Sequence, residues 1–268
     1  MSAKEYYCPA CESPLRSWDF VAPKDFYRCW ECLEATPFHM LPQRDILKTW
    51  TGGVARSEII SRGTAREIIS PSDLTFQVEC SAGSILLLGV AFTPDVLDPT
   101  ISSFSATWGS QTFASVAMQE GFIGQTTAIR ALVASSSGTK TLTINPQGPC
   151  SIAAFATEIT APALPAAVDA SGTNGAAFPS SVSVTSSAAT AASEVAICAV
   201  GSMEGIGIAT WDSPFITGQG TDVGPLGANI LEGRRILSAT GPVTATITIP
   251  QGLPTAEWGA CIATFRIT

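Results

Sequence analysis

From residue 74 onward the chain states one pattern twice, and whatever fold it takes must be buildable as two copies of a small unit. Thr141-Leu142-Thr143-Ile144-Asn145-Pro146-Gln147-Gly148 is echoed by Thr246-Ile247-Thr248-Ile249-Pro250-Gln251-Gly252. Upstream, Ala106-Thr107-Trp108 matches Ala209-Thr210-Trp211, and the apolar run 85–90 matches 195–200. Each Thr-rich segment leads into a closing apolar stretch, which the sequence aligns on Cys150 in the first copy and Cys261 in the second. The order of these pieces is the same in both halves, so repetition takes precedence over any single motif in assigning a fold.

The pieces themselves are short runs of strand-forming residues separated by turn signals such as Ser-Gly, Gly-Thr and Pro-Gln-Gly, and no helical period is visible among them. Candidate strands in the first copy are 74–80, 84–92, 101–108, 126–134, 140–144 and 151–159. The expected class is mainly β: an antiparallel, duplicated β-sandwich or jelly-roll-like body, with one repeat over 74–165 and the other over 180–268. Residues 166–179, including Asp169-Ala170-Ser171-Gly172-Thr173-Asn174-Gly175, read as a small-residue connector.

Ahead of this body stand two pairs of cysteines. Cys8-Pro9-Ala10-Cys11 and Cys29-Trp30-Glu31-Cys32 have the spacing of two knuckles closing on one metal: two intervening residues let a tight turn aim both sulfurs inward, and the stretch between the pairs has room for a hairpin. Four thiolates leave no open position for water or substrate, so the expected ion is a structural Zn2+ held by Cys8, Cys11, Cys29 and Cys32, with iron the less favoured occupant. Tyr6, Tyr7, Trp18, Phe20, Phe26, Tyr27 and Trp30 supply the small core that a unit spanning 1–40 needs. The paired knuckles and the proline after Cys8 resemble the zinc-ribbon, rubredoxin-like family, although Glu12 and Leu33 stand where many knuckles carry glycine. His39, the sole histidine, lies outside the knuckle spacing and reads as a packing or surface residue.

Residues 41–73 read as a connecting arm, with a short helical turn near 45–50 and a break at Gly52-Gly53. Ala55-Arg56-Ser57-Glu58-Ile59-Ile60-Ser61 is echoed by Ala65-Arg66-Glu67-Ile68-Ile69-Ser70, each with an exposed Ile-Ile pair that could lie across a neighbouring subunit or dock on its own body.

Charge narrows the partners. Residues 1–70 hold nine basic and nine acidic side chains, while 71–268 hold five and thirteen, so the net −8 is all in the body. Clustered Lys and Arg, the source of affinity for phosphates, are missing, which argues against direct nucleic-acid binding. The N-terminal residues have no apolar core of a signal peptide and no apolar run approaches a bilayer's thickness, so the expectation is a protein made in the cytoplasm, neither secreted nor membrane-spanning. The remaining cysteines, Cys80, Cys150, Cys198 and Cys261, sit singly in apolar segments and read as buried thiols.

Nothing in the pattern asks for catalysis. A Ser-His-Asp arrangement would need His39, the only imidazole, to reach into the body. Glu120, Glu158, Glu204, Asp212 and Glu232 are candidates for a glycosidase-type pair, but acids so scattered read as solvated surface groups. Glycines around Gly201, Gly205 and Gly207 match no phosphate-binding fingerprint. Trp108, Trp211 and Trp258 could stack on sugars, yet two of them hold equivalent repeat positions, which favours a place in the core. Asp95, Asp98, Asp212 and Asp222 fit no calcium-loop spacing.

The run of elements over 74–268, from apolar strand through Trp-Gly or Trp-Asp turn to Thr-rich strand and closing apolar strand, resembles the duplicated β-sandwich domains of tailed-phage and prophage structural proteins. That resemblance implies a non-enzymatic virion component. Capsid decoration or cement, anchored to the major capsid protein through ribbon and arm, is the leading expectation; a tail or fibre part, or a carbohydrate-binding receptor module, is the alternative. It also implies a homo-oligomer, with no symmetry specified.

Overall fold

A strand with one wet face alternates apolar and polar residues, whereas an unbroken apolar run requires cover on both sides. A computed structural model describes the strand backbones 4–6, 20–21, 26–28, 35–37 and 43–47, and then residues 57–70, 73–94, 103–120, 124–160, 168–177, 180–189, 194–203, 209–221, 227–249 and 257–267. For residues before 58, for 67–70 and for 176–177 the description is of backbone alone. The chain divides into two units, Met1–Ile60 and Ser61–Thr268, and all regular structure in the described residues is strand. Among the described residues no helix is long and apolar enough to cross a membrane.

The first unit holds β1 (Lys4–Tyr6), β2 (Phe20–Val21), β3 (Phe26–Arg28), β4 (Ala35–Pro37), β5 (Gln43–Leu47) and the start of β6 (Ser57–Ser70). β1 pairs antiparallel with β5, and β5 with the first residues of β6, Asp45 standing opposite Ile59. β2, β3 and β4 form a separate antiparallel sheet. The helical turn expected near 45–50 is replaced at its start by β5, because partners on both sides supply ladder bonds that an isolated turn would lack.

In the second unit the rest of β6 is followed by β7 (Leu74–Cys80), β8 (Ile85–Pro94), β9 (Phe104–Trp108), β10 (Gln111–Thr112), β11 (Ala114–Glu120), β12 (Thr126–Val133), β13 (Gly138–Pro146) and β14 (Cys150–Thr160). Then come β15 (Val168–Ala177), β16 (Ser181–Ala189), β17 (Glu194–Ser202), β18 (Thr210–Trp211), β19 (Ile216–Thr221), β20 (Asn229–Leu237), β21 (Gly241–Thr248) and β22 (Glu257–Arg266). One large sheet runs β6-β14-β8-β12-β11 and the other β15-β22-β17-β20-β19; the small sheets run β10-β9-β13-β7 and β18-β21-β16. The two orders correspond strand for strand except that β10 has no counterpart among the described strands of the second repeat. Register agrees: Trp108 stands opposite Leu142, and Trp211 opposite Ile247, as the matched sequences require.

Each small sheet faces its large sheet across an apolar core. The first core gathers Leu86, Leu88, Phe92, Trp108, Leu142 and Ile144, and the second Cys198, Val200, Trp211, Ile247, Trp258 and Ile262. Fully burying side chains of this size contributes roughly 1.5–3 kcal/mol each. β7, β16 and β21 show the alternation of a half-wet strand, whereas β8, β14, β17 and β22 are buried along nearly their whole length. The reason is that the two large sheets pack against each other on the faces turned away from the cores. β14 meets β19 and β20, while β22 meets β11 and β12; β12 meets β17 and β20 meets β8; β8 meets β17. Exchanging the two repeats turns every one of these contacts into another of the set, which is the pattern of a two-fold, isologous interface.

Four sequence expectations change here. The connector 166–179 contains β15, and the later part of the arm 41–73 contains β6; each is the neighbour of the corresponding strand of its large sheet, β22 and β14, with β15 at the edge of its sheet and β6 paired at its start with β5. Small residues suit β15 because its neighbour approaches closely: a Cβ on Gly172 would come within 2.0 Å of the Thr185 carbonyl oxygen. Ile59, expected to be exposed, is buried. Lastly, Ala154 lies opposite Val90 and Ala260 opposite Val200, so the counterpart of Cys261 is Phe155 rather than Cys150.

Candidate functional site

The cysteines Cys8, Cys11, Cys29 and Cys32 lie outside the described residues, as do His39, Glu204, Asp95, Asp98, Asp222, Gly205 and Gly207. What can be placed is the scaffold around them. β3 ends at Arg28, which pairs with Ala35 of β4, so Cys29 and Cys32 fall in the connection between two antiparallel partners. β1 ends at Tyr6, shortly before Cys8, and pairs with β5 from beyond the second cysteine pair. Four soft thiolate donors in two short-spaced pairs suit Zn2+. Among the described residues no group of three or more His, Cys, Asp or Glu side chains could hold a metal ion.

Two of the acids expected on the surface are in fact enclosed. Glu158 and Glu232 are both fully buried, Glu232 on the face of β20 that meets the other large sheet and Glu158 on the face of β14 that carries Ala154 and Ala156 into the first core. Glu120 and Asp212 are exposed, Asp212 accepting a hydrogen bond from the Thr248 hydroxyl at 3.1 Å. Glu158 accepts from Arg62 Nε at 2.6 Å and from the Ser81 amide at 2.9 Å, and pairs with the second Arg62 terminal nitrogen. Burial pushes its carboxyl up, but hydrogen bonds from Ser84, the Ser81 amide and Arg62, together with the Arg62 charge, outweigh burial and hold it below the usual carboxylate range.

Glu232 lies in the seam between the large sheets. Its Oε1 accepts from the Thr157 hydroxyl at 2.8 Å, and its Oε2 from the Gln219 amide at 3.0 Å and Arg234 at 3.3 Å. The Gln219 side chain donates to the Ala156 carbonyl and the Thr157 hydroxyl and accepts from the Gly63 amide, and Arg234 reaches Ser61 at 2.7 Å. Thr157 and Glu158 are adjacent on β14 and so point to opposite faces. The fold therefore keeps Glu158 and Glu232 apart rather than forming a catalytic pair. This arrangement joins the two repeats in one register; each buried carboxylate is matched by an arginine and by hydrogen-bond donors. Arg62, Gln219 and Arg234 were not singled out by the sequence reading, where the one available signal was the Glu-Gly-Arg-Arg run interrupting an otherwise apolar β20.

Trp108, Trp211 and Trp258 are all buried. The Trp108 ring donates from Nε1 to the Val78 carbonyl at 2.8 Å, and Trp211 to the Glu232 carbonyl at 3.1 Å. A ring enclosed in this way offers no face to a sugar. Cys80, Cys150, Cys198 and Cys261 are free and buried as expected. Burial pushes the Cys80, Cys150 and Cys261 thiols up to about 12 and Cys198 well above its ordinary value.

One cleft opens near the other end of the seam. It encloses about 450 Å3 and is lined by Ile85, Ala114, Ala131, Leu132, Phe265 and others, with Val133 and Val168, 45% and 41% exposed, also among its lining residues. Ala131 lies opposite Leu87 and Arg234 opposite Ile197, which makes them equivalent positions of the two repeats. The first repeat thus carries an alanine among the lining residues of this cleft where the second repeat carries Arg234.

No protein family, curated protein or solved structure was found to match the chain.

Proposed function

We propose that the chain is a non-enzymatic structural component of a tailed-phage virion, most simply a capsid decoration or cement protein in which a zinc ribbon precedes a duplicated β-sandwich. The observation that carries the reading is the seam between the repeats: the central strands of both large sheets, and Glu232 with its partners Thr157 and Gln219, serve to lock two sandwiches into one body. The faces left outward on the small sheets are hydroxyl-rich. Ser183 is bonded to Thr246 at 2.8 Å, Thr185 to Thr244 at 2.9 Å and Gln77 to Thr141 at 2.9 Å. Neutral faces of this kind suit close packing in an assembly.

Cys8, Cys11, Cys29 and Cys32 would hold Zn2+ as a closed structural site, giving the N-terminal unit its folding energy. Anchoring is assigned to that unit, because the later arm residues form β6 and are committed to the sandwich. Buried tryptophans remove the stacking platforms on which a carbohydrate-binding reading drew. The test is co-sedimentation of the zinc-loaded full chain with purified heads and, separately, purified tails of the source phage. Saturable binding to heads, lost when the N-terminal unit is stripped of metal, is the expected result. Binding to tails alone moves the protein to the tail, and binding to neither removes the virion reading.

A further inference from the structure

A strand edge carries a row of unpaired backbone donors and acceptors, and proteins that stay monomeric blunt it by shortness, bulges, kinks or cover. In the second unit nearly every described edge is treated in one of these ways. β10 and β18 have two residues each. β11, β15, β16 and β19 carry register shifts, at Ser115/Ala117, Val168/Ala170, Thr185/Ala188 and Thr217/Gly220. β6 is interrupted by Gly63 at φ 127°.

β7 is the exception. Its seven residues pair with β13 in unbroken register from Cys80 opposite Gly138 to Leu74 opposite Ile144, and its other side is an edge of the sheet. It contains neither proline nor lysine, and its one charge, Glu79, is met by Arg62 at 3.3 Å. The duplication supplies an internal control. β16 occupies the same place in the second repeat, and there the strand is bulged at Thr185/Ala188 and covered by β15, whose Gly172 lies against the Thr185 carbonyl. One repeat is sealed at this position and the other is left open.

We infer that β7 is a homodimer interface: two copies of the chain pair β7 with β7, antiparallel about a two-fold axis at Gln77, and merge their small sheets into one of twice the width. A second copy is the occupant because the strand is complementary to itself. Thr75 then faces the partner's Glu79, hydroxyl to carboxylate, and Gln77 faces its own copy, with an amide able both to donate and to accept. An open edge that occurs once per chain closes at two copies, whereas open edges on both repeats would propagate a filament. The inference stands independently of the virion reading.

Sedimentation equilibrium of the full, zinc-loaded chain up to about 100 μM, where a micromolar interface is saturated, is expected to give twice the 27.8 kDa of one chain. Gln77→Lys puts like charges across the axis and should weaken association at least about tenfold, with the unfolding midpoint of the body unchanged. Under mild oxidation Gln77→Cys should cross-link into a covalent dimer, while Ser183→Cys, the equivalent position on the sealed edge, should not. A monomer throughout the concentration range overturns the inference. So does a dimer that survives Gln77→Lys and cross-links no better through position 77 than through position 183.

Discussion

Glu158 shows how much a single side chain can be asked to do once it is enclosed. Its carboxylate is held by Arg62, Ser84 and the Ser81 amide, so Glu158→Gln removes one charge of a buried pair and should destabilise the body by about 2 kcal/mol in urea titrations. The folded form binds this proton less readily than the unfolded chain. Its stabilising contribution is therefore complete above the ordinary glutamate pKa of about 4.3 and is lost as pH falls below it. The variant should show a shallower acid limb than the wild type. The thiols act in the opposite direction. Cys80, Cys150 and Cys261, pushed up to about 12, remain protonated in the fold while unfolded thiols ionise, so their contribution holds below about pH 8.5 and drains away as pH rises toward 12. Glycine matters where the large sheets approach: a Cβ on Gly259 would lie 2.7 Å from Thr127 Oγ1. Gly259→Ala should cost about 1–3 kcal/mol, and less when combined with Thr127→Ala, a coupling that a double-mutant cycle reads directly.

At the level of the element, the equivalent bulges of β11 and β19 mark where an edge strand both turns away from outside partners and aims a residue into the seam. On β19 that residue is Gln219, which bonds to Gly63, Ala156 and Thr157. Gln219→Ala removes three buried hydrogen bonds and should lower stability by about 2 kcal/mol without changing the denaturant m value, because the surface exposed on unfolding is nearly the same. Legibility in sequence follows the same division. The candidate strand 74–80 coincides with β7, and 126–134 and 151–159 fall within a residue of β12 and β14, since alternation and flanking turn residues are local signals. β6 and β15 were read as arm and connector. Charged residues interrupt the apolar pairs of β6 and small residues fill β15, and either content looks like a linker until a neighbouring strand is in place.

For the molecule as a whole, the division at Ile60 separates a unit that should owe its folding to metal from one that owes it to two apolar cores. Metal analysis is expected to find one zinc per chain. Chelation, or Cys29→Ser, should abolish an N-terminal calorimetric transition and leave the main transition of the body in place. If those cysteines were instead found in disulfides with no bound metal, the ribbon assignment would fall. The two-fold relation of the repeats gives the body its four-layered order and explains why so low a charge content is tolerated: two sheet faces that would otherwise be wet are sealed against each other.

The sequence by itself determined that the body is antiparallel β, that it is built twice in the same order, and that four cysteines stand in two Cys-x-x-Cys pairs, because each of these rests on spacing along the chain. Only the tertiary structure decided that Glu158 and Glu232 are interior groups, that Cys261 answers to Phe155, and that one edge of one repeat is left unblunted. Those facts depend on which residues meet across hundreds of positions, and a pattern with a period of two residues cannot tell a face turned to water from one turned to its own twin.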